Sequence, residues 1–159
     1  MSTNHFAQLK LFNTAQTAAT SDDYYTPPEV FNNLNMKFDL DVCAPPGGIP
    51  WIPANRYLTQ EEDGLICEWY GTVWLNPPFS NPTPWVQKFK QHNNGVGLVP
   101  QSNGNWLTEL WNSEICFVLP KPIKFYNANG SLPASIPTRC FLIATKQWSD
   151  KLKQFGQVR

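Results

Sequence analysis

The tetrapeptide Asn76-Pro77-Pro78-Phe79 combines hydrogen-bond acceptors with an aromatic ring. The side-chain carbonyl of Asn76 and the backbone carbonyl of Pro77 could accept both N–H groups of a planar exocyclic amine, and Phe79 could stack on the ring that carries it. Such an amine is a poor nucleophile because its lone pair is delocalised, so acceptors placed in advance would stabilise the charge that develops as it attacks. Proline has a fixed φ, so Pro77 and Pro78 stiffen the turn. The tetrapeptide predicts a pocket floor that recognises an amine.

A short strand delivers this turn to the edge of a sheet. Residues 72–75 (Thr-Val-Trp-Leu) are β-branched, aromatic or aliphatic and predict a buried strand. In open α/β sheets, ligands bind at the carboxyl ends of strands, where the tetrapeptide would lie. The tetrapeptide resembles the (D/N/S)-P-P-(Y/F/W) motif of amino-group methyltransferases that use S-adenosylmethionine. This resemblance implies methyl transfer to N6 of adenine or to a related amine.

Length and composition favour one globular domain. The 159 residues are 42% hydrophobic, with seven Trp and ten Phe, so a single domain over residues 1–159 is expected, with residues 1–21 as a mobile arm. No apolar run reaches the length of a membrane span, and residues 1–20 lack the pattern of a signal peptide, so we expect a cytoplasmic protein. The four cysteines have no zinc-site spacing, and buried thiols are expected at Cys43, Cys67, Cys116 and Cys140.

The zero net charge hides an uneven distribution. Residues 1–84 carry three basic and nine acidic side chains, whereas residues 85–159 carry nine basic and three acidic ones. An acidic half would suit a cationic sulfonium cofactor, and a basic half could face phosphates. The alternative is that the charges mix in three dimensions into an ordinary solvated surface.

The first half of the chain alternates between helical and extended patterns. Thr26-Pro27-Pro28-Glu29 has the form of a capping box and predicts a helix of about ten residues. Residues 38–42 alternate apolar and polar and predict a strand that runs into the Pro- and Gly-rich loop 43–48. Thr83-Pro84 predicts the cap of a second helix.

The second half continues this alternation. Strands are predicted at residues 96–99 and 115–119, with a short helix at 105–111 between them. Residues 123–126 and 140–144 flank a turn region without a helical signal and predict a terminal antiparallel hairpin. The expected fold is α/β: a mostly parallel, doubly wound sheet that ends in an antiparallel β-hairpin, which the resemblance makes a Rossmann-like class I methyltransferase.

Residues 40–48 resemble the first cofactor motif of these methyltransferases, although the usual G-x-G loop is absent. The resemblance makes Asp41 the first candidate to hold the ammonium group of S-adenosylmethionine or an ordered water beside it, and Asp39 on the same strand face is the other candidate. Asp63 resembles the acidic residue that binds the cofactor's adenine amine, and Tyr57 could contact the cofactor as well. An acidic surface loop is the alternative for Asp63. No Asp or Glu follows a clear second strand to bind the ribose.

Thr26-Pro27-Pro28 resembles the motif that binds the cofactor carboxylate in permuted amino-methyltransferases. Free N–H groups and the dipole at a helix start favour an anion there. The alternative is an N-terminal cap without a ligand. Together these resemblances imply cofactor contacts by Tyr25, Thr26, Pro27, Asp41, Val42, Cys43, Ala44, Asp63, Gly64 and Asn76.

Five motifs closely resemble, in their order along the chain, those of the compact phage Dam-type DNA N6-adenine methyltransferases; they lie at residues 25–29, 40–44, 62–65, 73–80 and 84–86. The resemblance covers roughly residues 24–146. The resemblance implies that an adenine is flipped from double-stranded DNA into a pocket between the first and fourth strands and attacks the sulfonium methyl group. Asn76 and Pro77 would orient the amine, and Phe79 would stack on the base. The basic second half would engage phosphates, with candidate contacts at Lys121, Lys124, Arg139 and Lys88.

Two other functions stay open from the residues alone. The same chemistry could act on an amine of RNA or of a protein, because the tetrapeptide recognises a planar amine and not DNA as such. A catalytically silent DNA-binding module of the same fold is the second. The resemblance makes GATC the first target sequence to test. It also makes evasion of restriction in the host cytoplasm the first role to test. The oligomeric state, monomer or homodimer, stays open.

Overall fold

A computed structural model describes Asp22, residues 24–127 and residues 139–159. The predicted arm at residues 1–21 and most of the turn region before residue 140 lie outside the described residues. Six strands and four α-helices are described: α1 (Pro28–Leu34), β1 (Phe38–Asp41), β2 (Ala54–Tyr57), β3 (Val73–Leu75), α2 (Thr83–His92), β4 (Gly95–Pro100), α3 (Asn105–Trp111), β5 (Cys116–Val118), β6 (Cys140–Ala144) and α4 (Ser149–Leu152).

The strands form one sheet in the order β2-β1-β3-β4-β6-β5. The pairs β1/β2, β1/β3 and β3/β4 are parallel, whereas β6 runs antiparallel to both of its neighbours. The predicted fold class is confirmed: this is a Rossmann-like, mostly parallel sheet with an antiparallel pair at its end. The tetrapeptide follows β3, which is the third strand in chain order and not the fourth.

Helices cover both faces of this sheet. Trp74 packs with α1 residues in one core cluster, whereas its neighbours Val73 and Leu75 pack with α2 and α3 residues in the other. This alternation follows from the two-residue period of a strand. Trp74 and Asn76 are two residues apart, so the strand geometry directs the motif toward the α1 side.

The first helix differs from its prediction. It has seven residues and not about ten, and its N-cap is Pro27, which makes no side-chain cap hydrogen bond, so the predicted capping box is absent. Pro28 explains the shift, because a residue that precedes proline is driven to extended geometry, and Pro27 has ψ 156°. Asn35 ends the helix in a left-handed conformation at φ 46°.

Three other predictions on local structure need correction. Residues 123–126 do not form a strand. Of these only Tyr126 makes an isolated bridge, to Tyr25, and the antiparallel partners of β6 are β4 and β5. The N-cap of α2 is Pro82, so Thr83 is the first helical residue and not the cap.

Of the four cysteines only Cys140 is fully buried, and Cys43, Cys67 and Cys116 are partly exposed. Burial raises the pKa of the Cys43 thiol to about 12, so it is protonated at neutral pH. No helix among the described residues is both long and apolar enough to cross a bilayer.

Candidate functional site

A cavity of about 700 Å³ opens where β1 and β3 end. This volume is within the usual range for small-molecule sites. The strands pair in register, with Asp41 opposite Trp74, so the carboxyl ends of both reach the cavity together. Among the described residues its wall consists of Asp22, Tyr24, Tyr25, Asp41, Val42, Cys43, Ala44, Pro45, Pro46, Ile49, Ile52, Leu58, Thr59, Gln60, Asp63, Gly64, Trp74, Asn76, Pro78 and Trp85.

The amide of Asn76 is held in one orientation at this wall. Its Nδ2 donates a hydrogen bond to the backbone carbonyl of Tyr24 at 3.2 Å. Its Oδ1 is buried and has no partner among the described residues. Leaving a buried acceptor unpaired costs about 1–3 kcal/mol, so the geometry favours a ligand that brings a donor to this oxygen.

The rest of the tetrapeptide forms a braced turn. Pro77 is buried and Pro78 lines the cavity. The ring of Phe79 packs edge-on against Phe125, with 6.3 Å between centroids and 86° between planes. The carboxylate of Asp22 accepts hydrogen bonds from the backbone N–H of Ser80 at 3.0 Å and from its hydroxyl at 2.6 Å. These contacts hold the end of the turn in place, although neither Pro77 nor Phe79 is among the described residues that line the cavity.

Asp41 is a buried carboxyl at the end of β1. Only 2% of it is exposed, and its Oδ1 accepts a hydrogen bond from the Cys43 N–H at 3.3 Å. Burial raises the pKa of Asp41 to about 7, and the hydrogen bond from Cys43 lowers it in part. A buried carboxylate without a cationic partner is unfavourable, so a ligand cation beside Asp41 would favour its ionised form.

Asp39, the rival of Asp41, has a different position. Its Oδ2 accepts a hydrogen bond from the Thr72 N–H at 2.8 Å, and its carboxylate lies against Gly71, where a Cβ would be 2.1 Å away. It does not line the cavity. The structure therefore assigns Asp39 to the connection that precedes β3.

Two loops complete the wall. In the first, Ala44 donates a hydrogen bond to the Leu58 carbonyl at 2.8 Å. In the second, Asp63 has a left-handed φ of 56°, and its Oδ1 accepts a hydrogen bond from the Leu65 N–H at 3.0 Å. Gly64 packs so closely that a Cβ there would be 2.1 Å from the Val42 carbonyl oxygen. A residue without a side chain is needed at this contact.

The segment before α1 reaches the cavity only in part. Tyr25 lines it and exchanges backbone hydrogen bonds with Tyr126 at 2.8 and 3.0 Å. Thr26 and Pro27 are buried but are not part of the wall. The Thr26 hydroxyl has no partner among the described residues, while its carbonyl accepts a hydrogen bond from Trp51 Nε1 at 2.8 Å. Tyr57, which is 43% exposed, is also outside the wall.

The predicted phosphate contacts separate into two groups. Lys121 and Lys124 are exposed in the segment that contains Phe125, the ring against which Phe79 packs. Arg139 is exposed as well, and its guanidinium donates to the Pro120 carbonyl at 3.2 Å. Lys121 and Arg139 line one small cavity together with Phe125, so both lie beside the ring that packs on Phe79, and Lys124 directly precedes Phe125 in the sequence.

Lys88 does not join them. Its ammonium donates to the carbonyls of Gly64 at 3.1 Å and Leu65 at 2.9 Å and to that of Cys67, and it lies 5.1 Å from the centre of the Trp69 ring. Desolvation lowers its pKa. All three N–H donors are used within the protein, so the prediction of Lys88 as a phosphate contact is wrong in this structure, where it holds the loop around Gly64.

Several wall residues have no signal in the sequence. Tyr24 orients Asn76 through its backbone carbonyl, which no side-chain pattern could indicate. Trp74 and Trp85 are indistinguishable in sequence from core tryptophans. Thr59, Gln60 and Asp63 follow β2 and line the cavity, so Asp63 is the first acidic residue of the wall after this strand.

The sheet order, the antiparallel β6 and the cavity at the ends of β1 and β3 define a Rossmann-like methyltransferase fold. Comparison with known proteins gives the family. The profile of the DNA N-6-adenine-methyltransferase (Dam) family matches residues 13–158, and the chain belongs to this family.

Two phage proteins are similar to the chain. One is the DNA N-6-adenine-methyltransferase of Haemophilus phage HP1 (strain HP1c1), which is 31% identical over 119 residues and is matched over 67% of each chain. The other is the DNA N-6-adenine-methyltransferase of Escherichia phage T1, which is 35% identical over 102 residues, or 57% of this chain and 41% of that protein. The match thus spans less than half of the phage T1 protein. No solved structure matches the chain significantly.

Proposed function

We propose that this protein transfers a methyl group from S-adenosylmethionine to N6 of an adenine flipped out of double-stranded DNA. The observation that carries the proposal is the buried, unpartnered Oδ1 of Asn76 at the cavity, with Nδ2 held by Tyr24. An amide held in this way presents its oxygen, which can accept a hydrogen bond from an amine, and not its NH2 group, which is bound to Tyr24. Membership in the DNA N-6-adenine-methyltransferase family supports adenine as the source of that amine.

The cavity suits a cationic, nucleoside-sized cofactor. Its wall joins the buried carboxyl of Asp41 to the loop of Asp63 and Gly64. We assign Asp41 to the cofactor's ammonium group, because a cation there would stabilise an otherwise costly buried carboxylate. We assign Asp63 to the adenine end of the cofactor. When bound, S-adenosylmethionine would supply the activated methyl group.

The tetrapeptide would orient the target amine. Asn76 Oδ1 and the Pro77 carbonyl would each accept one N6–H, which directs the nitrogen lone pair toward the methyl group and stabilises the positive charge that develops there. Neither carbonyl is a strong base, so the proton would pass from the amine to water only after the N6–C bond has formed and the bond from the methyl carbon to sulfur has broken, with S-adenosylhomocysteine as the leaving group. Phe79, already braced by Phe125, would stack on the flipped adenine.

The exposed cations near Phe125 would hold the DNA. Lys121 and Lys124 lie on the segment that braces Phe79, and Arg139 is anchored to Pro120 in the same segment. Phosphate contacts here would place the duplex over the tetrapeptide without reading its sequence. GATC is the first sequence to test as the target.

The chain would act as a single catalytic domain. The phage relatives favour the cytoplasm of an infected cell as its place of action and protection of phage DNA from restriction as its role.

The test compares Asn76→Ala with Asn81→Ala, an exposed asparagine in the same turn. Transfer of tritiated methyl groups to DNA should fall roughly 100- to 1000-fold in the first variant, as for other single groups that stabilise transition-state charge. Binding of S-adenosylmethionine, measured by calorimetry, should be kept, and Asn81→Ala should match the wild type. Near-normal turnover by Asn76→Ala would overturn the assignment. Parallel reactions with RNA and with unfolded protein separate DNA from the other amine substrates.

A further inference from the structure

The indole N–H of Trp74 is a buried donor at the cavity wall. Trp74 is 0% exposed, and its ring packs against Phe31 of α1 at 4.7 Å and against Phe38 at 5.7 Å between centroids. Its Nε1 has no hydrogen-bond partner among the described residues, and the residue lines the cavity. Buried tryptophan N–H groups usually have a partner. An acceptor on a bound molecule would supply the partner that this donor lacks.

The position of Trp74 in the sheet places it between two other site residues. It pairs with Asp41 across the β1/β3 ladder, so both side chains leave the sheet on the same face about 4.8 Å apart along the hydrogen-bonding direction. Asn76 follows Trp74 by two residues, directly after the end of β3, and so lies on the same side of the strand. Trp74 therefore has Asp41 as its neighbour across the sheet and Asn76 as its neighbour along the chain.

We propose that the Nε1–H of Trp74 donates a hydrogen bond to the carboxylate of the amino-acid end of S-adenosylmethionine. This inference rests on the proposed function, because it takes the cofactor and the pairing of its ammonium with Asp41 as given. Ammonium and carboxylate are attached to the same carbon atom, so a cofactor held at Asp41 would bring its carboxylate within reach of a donor on the neighbouring strand β3. Asn76 Oδ1 is itself an acceptor and would repel the cofactor carboxylate.

The composition of the wall supports a neutral donor. Among the described residues that line the cavity, no lysine, arginine or histidine is present, so a carboxylate there would depend on N–H and O–H groups. The buried hydroxyl of Thr26, which also has no partner among the described residues, precedes α1, the helix whose Phe31 packs on the Trp74 ring. Both donors thus come from the α1 side of the sheet.

The experiment uses Trp74→Phe, which removes the N–H and keeps an aromatic ring, with Trp148→Phe as the matched control. Trp148 donates its N–H to Asn94 at 2.8 Å and is not part of the cavity wall. Calorimetry is run with S-adenosylmethionine and with decarboxylated S-adenosylmethionine, which keeps the ammonium, sulfonium and adenosine groups. Trp74→Phe should weaken binding of the first ligand about 10- to 100-fold, as for a hydrogen bond to a charged group. It should leave affinity for the second within about twofold.

A second measurement does not depend on how the variant folds. In the wild-type protein, the indole ¹⁵N–¹H resonance of Trp74 should move downfield with S-adenosylmethionine and not with the decarboxylated ligand. Equal weakening of both ligands, or an indole resonance that responds to both alike, would overturn the carboxylate contact while S-adenosylmethionine binding stands. A wild-type protein that binds no S-adenosylmethionine at millimolar concentration would overturn both this inference and the proposed function.

Discussion

Replacing Asp41 by asparagine should stabilise the protein above neutral pH and abolish binding of a cationic cofactor. The asparagine side chain would keep an oxygen for the Cys43 N–H, which donates to Asp41 Oδ1 at 3.3 Å, and would remove the buried charge. The substitution therefore separates two effects of one carboxyl: the cost of ionising it in the free protein and its attraction for a ligand cation.

The size of the effect follows from the pKa. Burial raises the pKa of Asp41 from its ordinary value of 3.8 to about 7, and one pKa unit corresponds to about 1.4 kcal/mol. The folded state keeps its proton to a higher pH than the unfolded state, so this carboxyl lowers the stability as the pH rises from about 4 to about 7 and causes no further loss above that. Above pH 7 the ionised group costs up to roughly 4 kcal/mol, which Asp41→Asn would recover.

Thermal unfolding of both proteins across this pH range is the assay. The melting temperature of Asp41→Asn should exceed that of the wild type by about 5–15 °C at pH 8 and converge with it toward pH 4. Asp39→Asn is the control, because the Asp39 carboxylate is bound to the Thr72 N–H outside the cavity, and it should keep cofactor binding. The reasoning would be refuted if the melting temperature of Asp41→Asn exceeded that of the wild type by the same amount at every pH, or if the variant were less stable than the wild type at pH 8.

Further predictions concern the cofactor loop and the DNA surface. Gly64→Ala would place a methyl group 2.1 Å from the Val42 carbonyl oxygen; it should cost roughly 1–3 kcal/mol of stability and weaken cofactor binding, and an unchanged urea midpoint would contradict this. Replacing both Lys121 and Lys124 by alanine should reduce the slope of log affinity for DNA against log salt concentration by about 1.8, or about 0.9 for each phosphate that is no longer neutralised. Lys90→Ala, at an exposed position of α2, is the control and should leave the slope unchanged. Equal slopes for the wild type, the double variant and Lys90→Ala would show that Lys121 and Lys124 do not contact phosphates.

The sequence was informative where chemistry follows directly from local pattern. The apolar residues of β3 and the turn after them predicted where Asn76 would lie, and the alternation around Asp41 predicted the end of β1. The local pattern could not separate Asp41 from Asp39, because both lie on the same strand. The structure distinguishes them, because Asp41 lines the cavity whereas Asp39 accepts a hydrogen bond from the Thr72 N–H outside it.

The errors arose from non-local contacts and from proline. In the sequence, Lys88 and Lys121 both belong to the basic second half of the chain. The ammonium of Lys88, however, is bound by loop carbonyls 21–24 residues earlier in the chain. The contact that orients Asn76 comes from Tyr24, 52 residues away. The prediction of a capping box was wrong because Pro28 drives the preceding residue, Pro27, into an extended conformation.

The measurement that tests the central claim most directly is the chemical identity of the product. Purified protein is incubated with duplex DNA and S-adenosylmethionine that carries a deuterated methyl group, and the DNA is digested to nucleosides for mass spectrometry. The proposed function predicts deuterated N6-methyldeoxyadenosine with the wild-type protein and almost none with Asn76→Ala. Absence of a labelled nucleoside with the wild type, or a label confined to another base, would contradict it.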